Sequence, residues 1–384
     1  MSNLPQIRIL CIGDQHFKPS NIQVVDIFLQ KLEEWLKKNP VDLIVSLGDL
    51  LHTHERLHTQ ALNKALQYID ILSRYASTRI LIGNHDGINN QIFLSENHWL
   101  NVVKTYRNVK VVDNILVENV GFTSCPSTSC STIKMTFCPY VPDGKFRHAL
   151  DTRRGEWEDS QIIFAHQLFD GAKMGSIVVQ DVEKWGENEQ MIVCGHIHDS
   201  HWVQDNIYIV GSAMQDSFGE REDKTLLLLE LSEKDTSSHE KLNRGILENT
   251  SKFRLVDLDL PKKRILYMDM AELSEFDLDL IRENTEYKLT VDGEEEEFNA
   301  FKKTLKYKEI SKRCRIVFKH KRTFIVNKKE SIRNEDENQK IERQEFKTLL
   351  KELVEREDNP YITDLFNKIV MKRSGENEEE MLFL

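Results

Sequence analysis

The sequence predicts a layered α/β protein. In the first half, short β-branched runs alternate with stretches of helical periodicity. The runs IRILCIGD, DLIVSLGD and TRILIGNHD are almost continuously apolar until their last residues, as strands covered on both faces are.

Taken in order, the first run leads into residues 23–38, where Ile27, Leu32, Trp35 and Leu36 share a helical face and Asn39-Pro40 ends the helix. The second run is followed by a helix on which Leu62, Leu66, Ile69 and Leu72 repeat the pattern, and the third run comes next. QIIFAHQ, QMIVCGHIH, NIYIVGS and TLLLLEL are further buried strands bounded by polar turns, so this domain is expected to span 1–231. Residues 232–251 are polar and read as a linker. A smaller α+β unit over 252–326 follows, with strands FRLVDLDL, RILYMDM, EYKLTVDG and CRIVFKHK and helices around 274–283 and 296–305. Residues 327–339 are almost wholly polar and are expected to be a flexible linker, and 340–384 hold two short amphipathic helices and an acidic tail. Phe346, Leu349, Leu350, Leu353 and Val354 stripe the first helix; Tyr361, Ile362, Leu365, Phe366, Ile369 and Val370 stripe the second, after Asn359-Pro360. Helices this short cannot bury such faces alone, so they are expected to dock either on this protein's own body or, the favoured reading, on a partner.

Composition narrows the class. In 384 residues, 40% are hydrophobic and 30% charged, and no apolar run approaches the roughly 20 residues of a membrane helix. The start MSNLPQIRIL lacks a basic leader, so an intracellular protein with no membrane span is expected. Cys11, Cys125, Cys130, Cys138, Cys194 and Cys314 contain no CxxC pair, which argues against both a disulfide framework and a zinc loop. A formal charge of −11 excludes a generally basic surface but permits a local cationic strip. The runs Glu294 to Glu297 and Glu376 to Glu380 carry part of that charge as solvated surface.

The chemistry stands at the strand ends, where open α/β sheets place their sites. Asp14 and His16 follow IRILCIG, Asp49 follows DLIVSLG, Asn84 follows TRILIG, His166 follows QIIFA, and His196 with His198 follows QMIVCG. Any one of these has an ordinary reading, a turn-capping aspartate or a core histidine; seven together at five strand ends point to metal. Aspartate flanked by histidines and an amide oxygen suits manganese, iron or zinc better than magnesium or calcium, with manganese foremost. Glycines precede Asp14, Asp49, Asn84 and His196, where the backbone turns sharply or approaches a cation.

DQH, GDLLH, GNHD, AHQ and GHIH, in this order, resemble the five signature motifs of calcineurin-like metallophosphoesterases. Within that superfamily the chain resembles SbcD-type DNA double-strand-break repair nucleases, through His52 after GDLL and through IYIVGSAMQDSFGERED, with its Gly-Ser followed by Phe-Gly-Glu. The resemblance implies an α/β/β/α sandwich, a DNA-capping second domain, and exonuclease and endonuclease activity in break repair or recombination. Two divalent cations are implied, one held by Asp14, His16, Asp49 and His198, the other by Asp49, Asn84, His166 and His196, with Asp49 bridging. His85, oriented by Asp86, would donate a proton to the leaving oxygen or steady the transition state, and His52 would help position the strand. Implied partners are DNA, a homodimer mate, and an SMC-like ATPase bound through the C-terminal helices. Two departures concern loops: DQHFKPS lacks the family's Leu-Gly, and CPSTSCSTIKMTFCPYVPDG carries extra residues before its Pro-Tyr.

His54, His58, His98, His148, His201, His239 and His320 read as surface or structural. Lys18, Arg56, Lys145, Arg147, Arg153 and Arg154 in predicted loops, and Lys319, His320, Lys321 and Arg322 in the second unit, are candidate phosphate contacts. A phosphatase or cyclic-nucleotide phosphodiesterase built on the same metals stays open beside the nuclease, since fold and metals cannot separate them. A scaffold with a decayed site is disfavoured because every expected ligand is present.

Overall fold

The computed structural model describes residues 6–122, 132–232, 241–249, 252–320 and 354. The chain divides into one compact unit over 1–321 and another over 322–384, and every element named below lies in the first. The two C-terminal helices, the linker before them, Cys125, Cys130 and the cations Lys321 and Arg322 fall outside the described residues.

The expected alternation is present. In chain order come β1 (Gln6–Ile12), α1 (Ile22–Lys38), β2 (Leu43–Ser46), α2 (Thr59–Tyr75), β3 (Ser77–Leu81), β4 (Val109–Val112), β5 (Leu116–Gly121) and β6 (Thr132–Cys138). Then follow α3 (Phe146–Leu150), β7 (Ile162–Ala165), β8 (Lys173–Met174), β9 (Ile177–Val178), β10 (Met191–Cys194), β11 (His201–Gln204), β12 (Ile207–Ile209) and β13 (Leu226–Ser232). The described chain continues with α4 (Arg244–Asn249), β14 (Phe253–Val256), β15 (Lys262–Asp269), α5 (Met270–Glu275), β16 (Thr285–Gly293), α6 (Glu295–Phe301), α7 (Leu305–Arg313) and β17 (Cys314–His320).

Two six-stranded sheets, ordered β14-β13-β1-β2-β3-β4 and β11-β12-β10-β7-β6-β5, form the body. β1 to β4 run parallel in the first sheet, and β6, β7, β10 and β12 run parallel in the second. Successive strand residues face opposite ways, and the burial follows that period. Ile7, Ile9, Cys11, Leu43 and Val45 pack with Ile162, Phe164, Met191 and Val193 in the layer between the sheets. Their neighbours Leu10, Ile12 and Ile44 turn outward under α1 and α2. Ile163, Ala165, Ile192 and Cys194 cover the other outer face together with Phe146, Phe169 and Trp185. This is the α/β/β/α layering that the resemblance implied.

The helix faces are rotated slightly from the expected ones. α1 buries Val25, Phe28, Leu29, Leu32 and Leu36, while Ile27 stays 37% exposed. Asn39 ends it as read, its backbone and side-chain N–H groups both donating to the Trp35 carbonyl at 2.9 Å. α2 buries Ala61, Ala65, Tyr68, Ile69 and Leu72, with Leu62 and Leu66 at its margin.

Two boundaries differ from the sequence reading. Phe253–Val256, assigned there to the second unit, is the edge strand of the first sheet, paired antiparallel with β13. Its placement is aromatic: Phe253 lies 4.6 Å edge-on to Tyr208 and 5.3 Å from Trp202. The stretch read as a linker contains α4, which buries Leu247 in the inter-sheet core. The α+β unit is a three-stranded parallel sheet, β15-β16-β17, with α5 to α7 on its connections and its own core around Leu273, Leu289, Val291, Phe298 and Ile310. Among the described residues, no helix is long and apolar enough to cross a membrane.

Phe164 stacks on Phe137 at 5.2 Å in the inter-sheet layer. Phe164→Ala should therefore destabilise the fold by about 3–5 kcal/mol, whereas Ile177→Ala, at a site 68% exposed, should change stability by no more than about 0.5 kcal/mol. Urea denaturation of both variants checks this; equal effects would mean the inter-sheet layer is loosely packed.

Candidate metal centre

All seven residues picked out at strand ends converge at the carboxyl edge of the two sheets. The backbone there is sharply turned: Asp14, His16, Asp49 and His196 have φ of 27°, 45°, 53° and 81°. Such left-handed conformations are costly for non-glycine residues and persist where the surroundings over-determine them. Here the strand exits are laced together, His16 N donating to Asp49 O at 2.9 Å and Phe17 N to Leu50 O at 2.8 Å. Gly48 takes φ 106°, and at Gly83 a Cβ would overlap the Asp49 carboxylate.

Six of the seven side chains gather in two adjoining groups, Asp14 with His16 and His198, and Asp49 with His166 and His196, and His85 lies within the same reach of His16 and Asp49. Asn84 Oδ1 joins the second group, 3.0 Å from His196 Nδ1 and 3.1 Å from His166 Nε2. Asp49 Oδ2 stands between the groups, 3.5 Å from His16 Nε2 and 3.4 Å from His166 Nε2. Its other oxygen is held by the His85 backbone N–H at 2.8 Å. His198 Nε2 and His16 Nε2 lie 3.0 Å apart. Ligand atoms about 2.1 Å from one cation stand about 3.0–3.4 Å apart at octahedral to tetrahedral angles, so this spacing fits divalent cations of the size of zinc or manganese.

Partners beyond the cluster set which ring nitrogen faces inward. His166 Nδ1 donates to the Leu47 carbonyl across the inter-sheet gap at 2.6 Å, which turns Nε2 inward, the atom that would ligate once it gives up its proton. His198 Nδ1 donates to Glu220 Oε1 at 3.0 Å. The His196 backbone N–H donates to both oxygens of Asp14 at 3.0 Å.

The electrostatics are those of charges removed from water. Burial pushes Asp14 up to about 7, helped by the Asp49 charge and opposed by His166. Burial would raise Asp49 too, but the His166 charge and hydrogen bond, with His16 and His85, outweigh it and hold Asp49 below the usual carboxylate range. His166 shows the converse: burial opposes its protonation, yet Asp49 and Asp14 lift it to about 9. Burial drops His16 and His196 to about 3, so both are neutral donors.

One expected role is corrected. Asp86 does not touch the His85 ring; its buried carboxylate accepts from Leu50 N at 3.2 Å, Gly83 N at 3.1 Å and Trp99 Nε1 at 3.1 Å. With Leu51 N at 3.4 Å as a fourth N–H donor, this carboxylate stitches the β2 and β3 exits together, and its lone pairs are taken up by them. Burial first, and Asp49 second, raise it to about 6. His85 is instead oriented by His52, whose backbone carbonyl accepts from His85 Nδ1 at 2.7 Å. The rings of His52 and His54 lie nearly parallel to the His85 ring, at 5.7 and 4.9 Å. His54, set aside in the sequence reading, is thus part of the site's wall. Glu220 and Tyr140, whose ring is 5.7 Å from that of His196, also went unassigned. The signal for Glu220 was the Phe-Gly-Glu segment itself. His201 is structural: Nδ1 donates to Asp199 O and Nε2 accepts from Lys173 N. His98 is tied to Asp113 at 3.1 Å. Of the loop cations, Lys18 pairs with Asp216, Arg147 with Glu189, Arg153 with Glu156 and Arg154 with Asp151.

Comparison with known proteins agrees with this geometry. The family described as calcineurin-like phosphoesterase matches residues 7–200. A protein of Invertebrate iridescent virus 3 described as a phosphoesterase is 38% identical over 310 residues, covering 79% of this chain and 82% of its own. A counterpart in Invertebrate iridescent virus 6 is 39% identical over 297 residues, covering 77% of this chain and 97% of its own. Among solved structures, GAP50 of the Plasmodium inner membrane complex aligns with a TM-score of 0.36 at 15% identity, over 62% of this chain and 89% of that one. Similarity at that level carries no functional argument.

Because His166 titrates near 9 and Asp14 near 7 in the metal-free site, loading a cation must release protons. Affinity for Mn²⁺ should rise with pH between 7 and 9 and fall below 7. Calorimetric titration in buffers of different ionisation enthalpy measures the release; pH-independent binding without proton release would contradict the assignment of these two ligands.

Proposed function

The chain belongs to the calcineurin-like phosphoesterase family, and from that premise we propose that it is a manganese-dependent DNA nuclease, acting on ends in double-strand-break repair or recombination. The observation that carries the hydrolytic reading is the single carboxylate oxygen of Asp49 shared between two donor groups. Asp14, His16, Asp49 and His198 would hold one cation, and Asp49, Asn84, His166 and His196 the other. When bound, such a pair supplies Lewis acidity toward a phosphoryl oxygen and a nucleophile available near neutral pH. His85 complements it: with Nδ1 donating to the His52 carbonyl, Nε2 is the ring atom left to accept a proton or, in the imidazolium form that burial disfavours, to give one to the leaving oxygen.

The DNA assignment is supported by what is docked beside the site. Gln215 clamps the β15 backbone through Lys263 N and O at 2.7 and 2.9 Å, and Arg264 pairs with Glu222 at 2.7 Å. The three-stranded sheet is thereby anchored on the segment carrying Glu220. A cap of this kind, with Lys319 and His320 exposed on β17, suits a long polyanion whose phosphates extend beyond the metal site. Residues 340–384 are proposed to bind an SMC-like ATPase, on the strength of the two apolar stripes described above.

Purified protein with Mn²⁺ should degrade linear DNA and cleave bis-p-nitrophenyl phosphate in preference to p-nitrophenyl phosphate. Activity confined to monoesters or cyclic nucleotides would replace the nuclease with the phosphatase or cyclic phosphodiesterase reading. Asp49→Ala should lose both activity and bound metal, by elemental analysis. His85→Ala should keep its metal while kcat falls on the order of 10²–10⁴-fold.

Truncation after Ile332 should leave bis-p-nitrophenyl phosphate cleavage intact and abolish capture of the ATPase. Unchanged capture by the truncated chain would remove the C-terminal helices from that role.

A further inference from the structure

We propose that Glu220 is a positioning residue that fixes the ring of His198 in the tautomer able to ligate a cation. The inference rests on the metal reading above and names a residue outside the strand-end set.

Glu220 is held at both oxygens. Oε1 accepts from His198 Nδ1 at 3.0 Å, while Oε2 accepts from Asp216 N at 3.0 Å and from Lys224 Nζ at 3.0 Å. Lys224 also donates to the His198 carbonyl at 2.8 Å, so both ends of the histidine are tied to one network. The Glu220 backbone is itself pinned, its carbonyl accepting from Gln215 Nε2 at 3.0 Å. With Nδ1 carrying the proton, the His198 lone pair is on Nε2, the atom that stands 3.0 Å from His16 Nε2 in the group with Asp14. A neutral imidazole has one donor and one acceptor nitrogen, and the partner of one decides the role of the other.

The arrangement makes an unusual demand on substitution. In Glu220→Gln, the two donors at the Oε2 position, Asp216 N–H and Lys224, capture the amide oxygen, so the NH₂ group turns toward His198 Nδ1. That nitrogen must then accept, the proton moves to Nε2, and the ligating lone pair is lost. Glu220→Ala removes the acceptor without imposing the wrong tautomer. A residue that merely stabilised the loop would rank the other way, with the isosteric glutamine milder than alanine.

The test is made on the full chain with Mn²⁺ as probe. In metal-free protein at pH 9, ¹⁵N NMR of the His198 ring should show the proton on Nδ1 in the wild type, on Nε2 in Glu220→Gln, and on both in Glu220→Ala. Mn²⁺ affinity should fall in the order wild type, Glu220→Ala, Glu220→Gln, the last by about 10–100-fold at one of two sites. An unchanged tautomer in Glu220→Gln, or an affinity above that of Glu220→Ala, overturns the proposal. A wild type that binds no Mn²⁺ would instead remove the metal reading, and the ring spectra would still decide the role of Glu220.

Discussion

Asp14 and Asp49 are buried almost completely, and each carboxylate raises the cost of ionising the other. Like charges withdrawn from water are tolerated only where opposite charge or hydrogen-bond donors surround them. Much of the architecture answers that constraint. Histidines from both sheets converge on the pair, and backbone N–H groups of His85 and His196 donate to its oxygens. Without cations, His166 must stay protonated to compensate. Divalent cations held by these residues would supply that charge directly and leave the imidazole free to ligate.

The same constraint explains the strained turns. Chelation requires side chains of consecutive strand exits to point inward at one spot, and a regular strand end would alternate them. Left-handed backbone at Asp14, His16, Asp49 and His196 redirects them, at a cost on the order of 1–3 kcal/mol each. Asp86 and the exchange of backbone hydrogen bonds between the 14–17 and 49–52 segments hold that geometry. Asp86 therefore serves the site through the main chain, and the histidine that it neighbours in sequence is governed by His52.

The segment 212–224 joins the metal cluster to the periphery. One end lies against the strand exits through Ala213 N and Gly13 O, its middle carries Glu220 to His198, and its outer side receives β15 through Gln215 and Glu222. Segments with this many polar ties outside regular structure are ordered by those ties, so its residues carry more of the site's geometry than their loop position suggests.

By itself the sequence determined seven strands of the body, β1, β2, β3, β7, β10, β12 and β13, but not β4, β5, β6 or β11, and it determined the ligand types and their order along the chain. Those properties are local: near-continuous apolar runs, glycine at four of the five turns, and Asp, Asn or His immediately after. The helices over 22–38 and 59–75 were legible for the same reason, with their faces off by part of a turn because Ala61, Ala65 and Tyr68 carry burial that an aliphatic count overlooks. Tertiary structure alone decided the partners. Leu47 reaches His166 across 119 positions, Asp86 reaches Leu50 across 36, and Glu220 reaches His198 across 22. It also moved Phe253–Val256 into the first sheet, since an edge strand is chosen by the aromatic surface of Trp202 and Tyr208 that awaits it. Contacts over such separations depend on which strands become neighbours, and no local pattern encodes that.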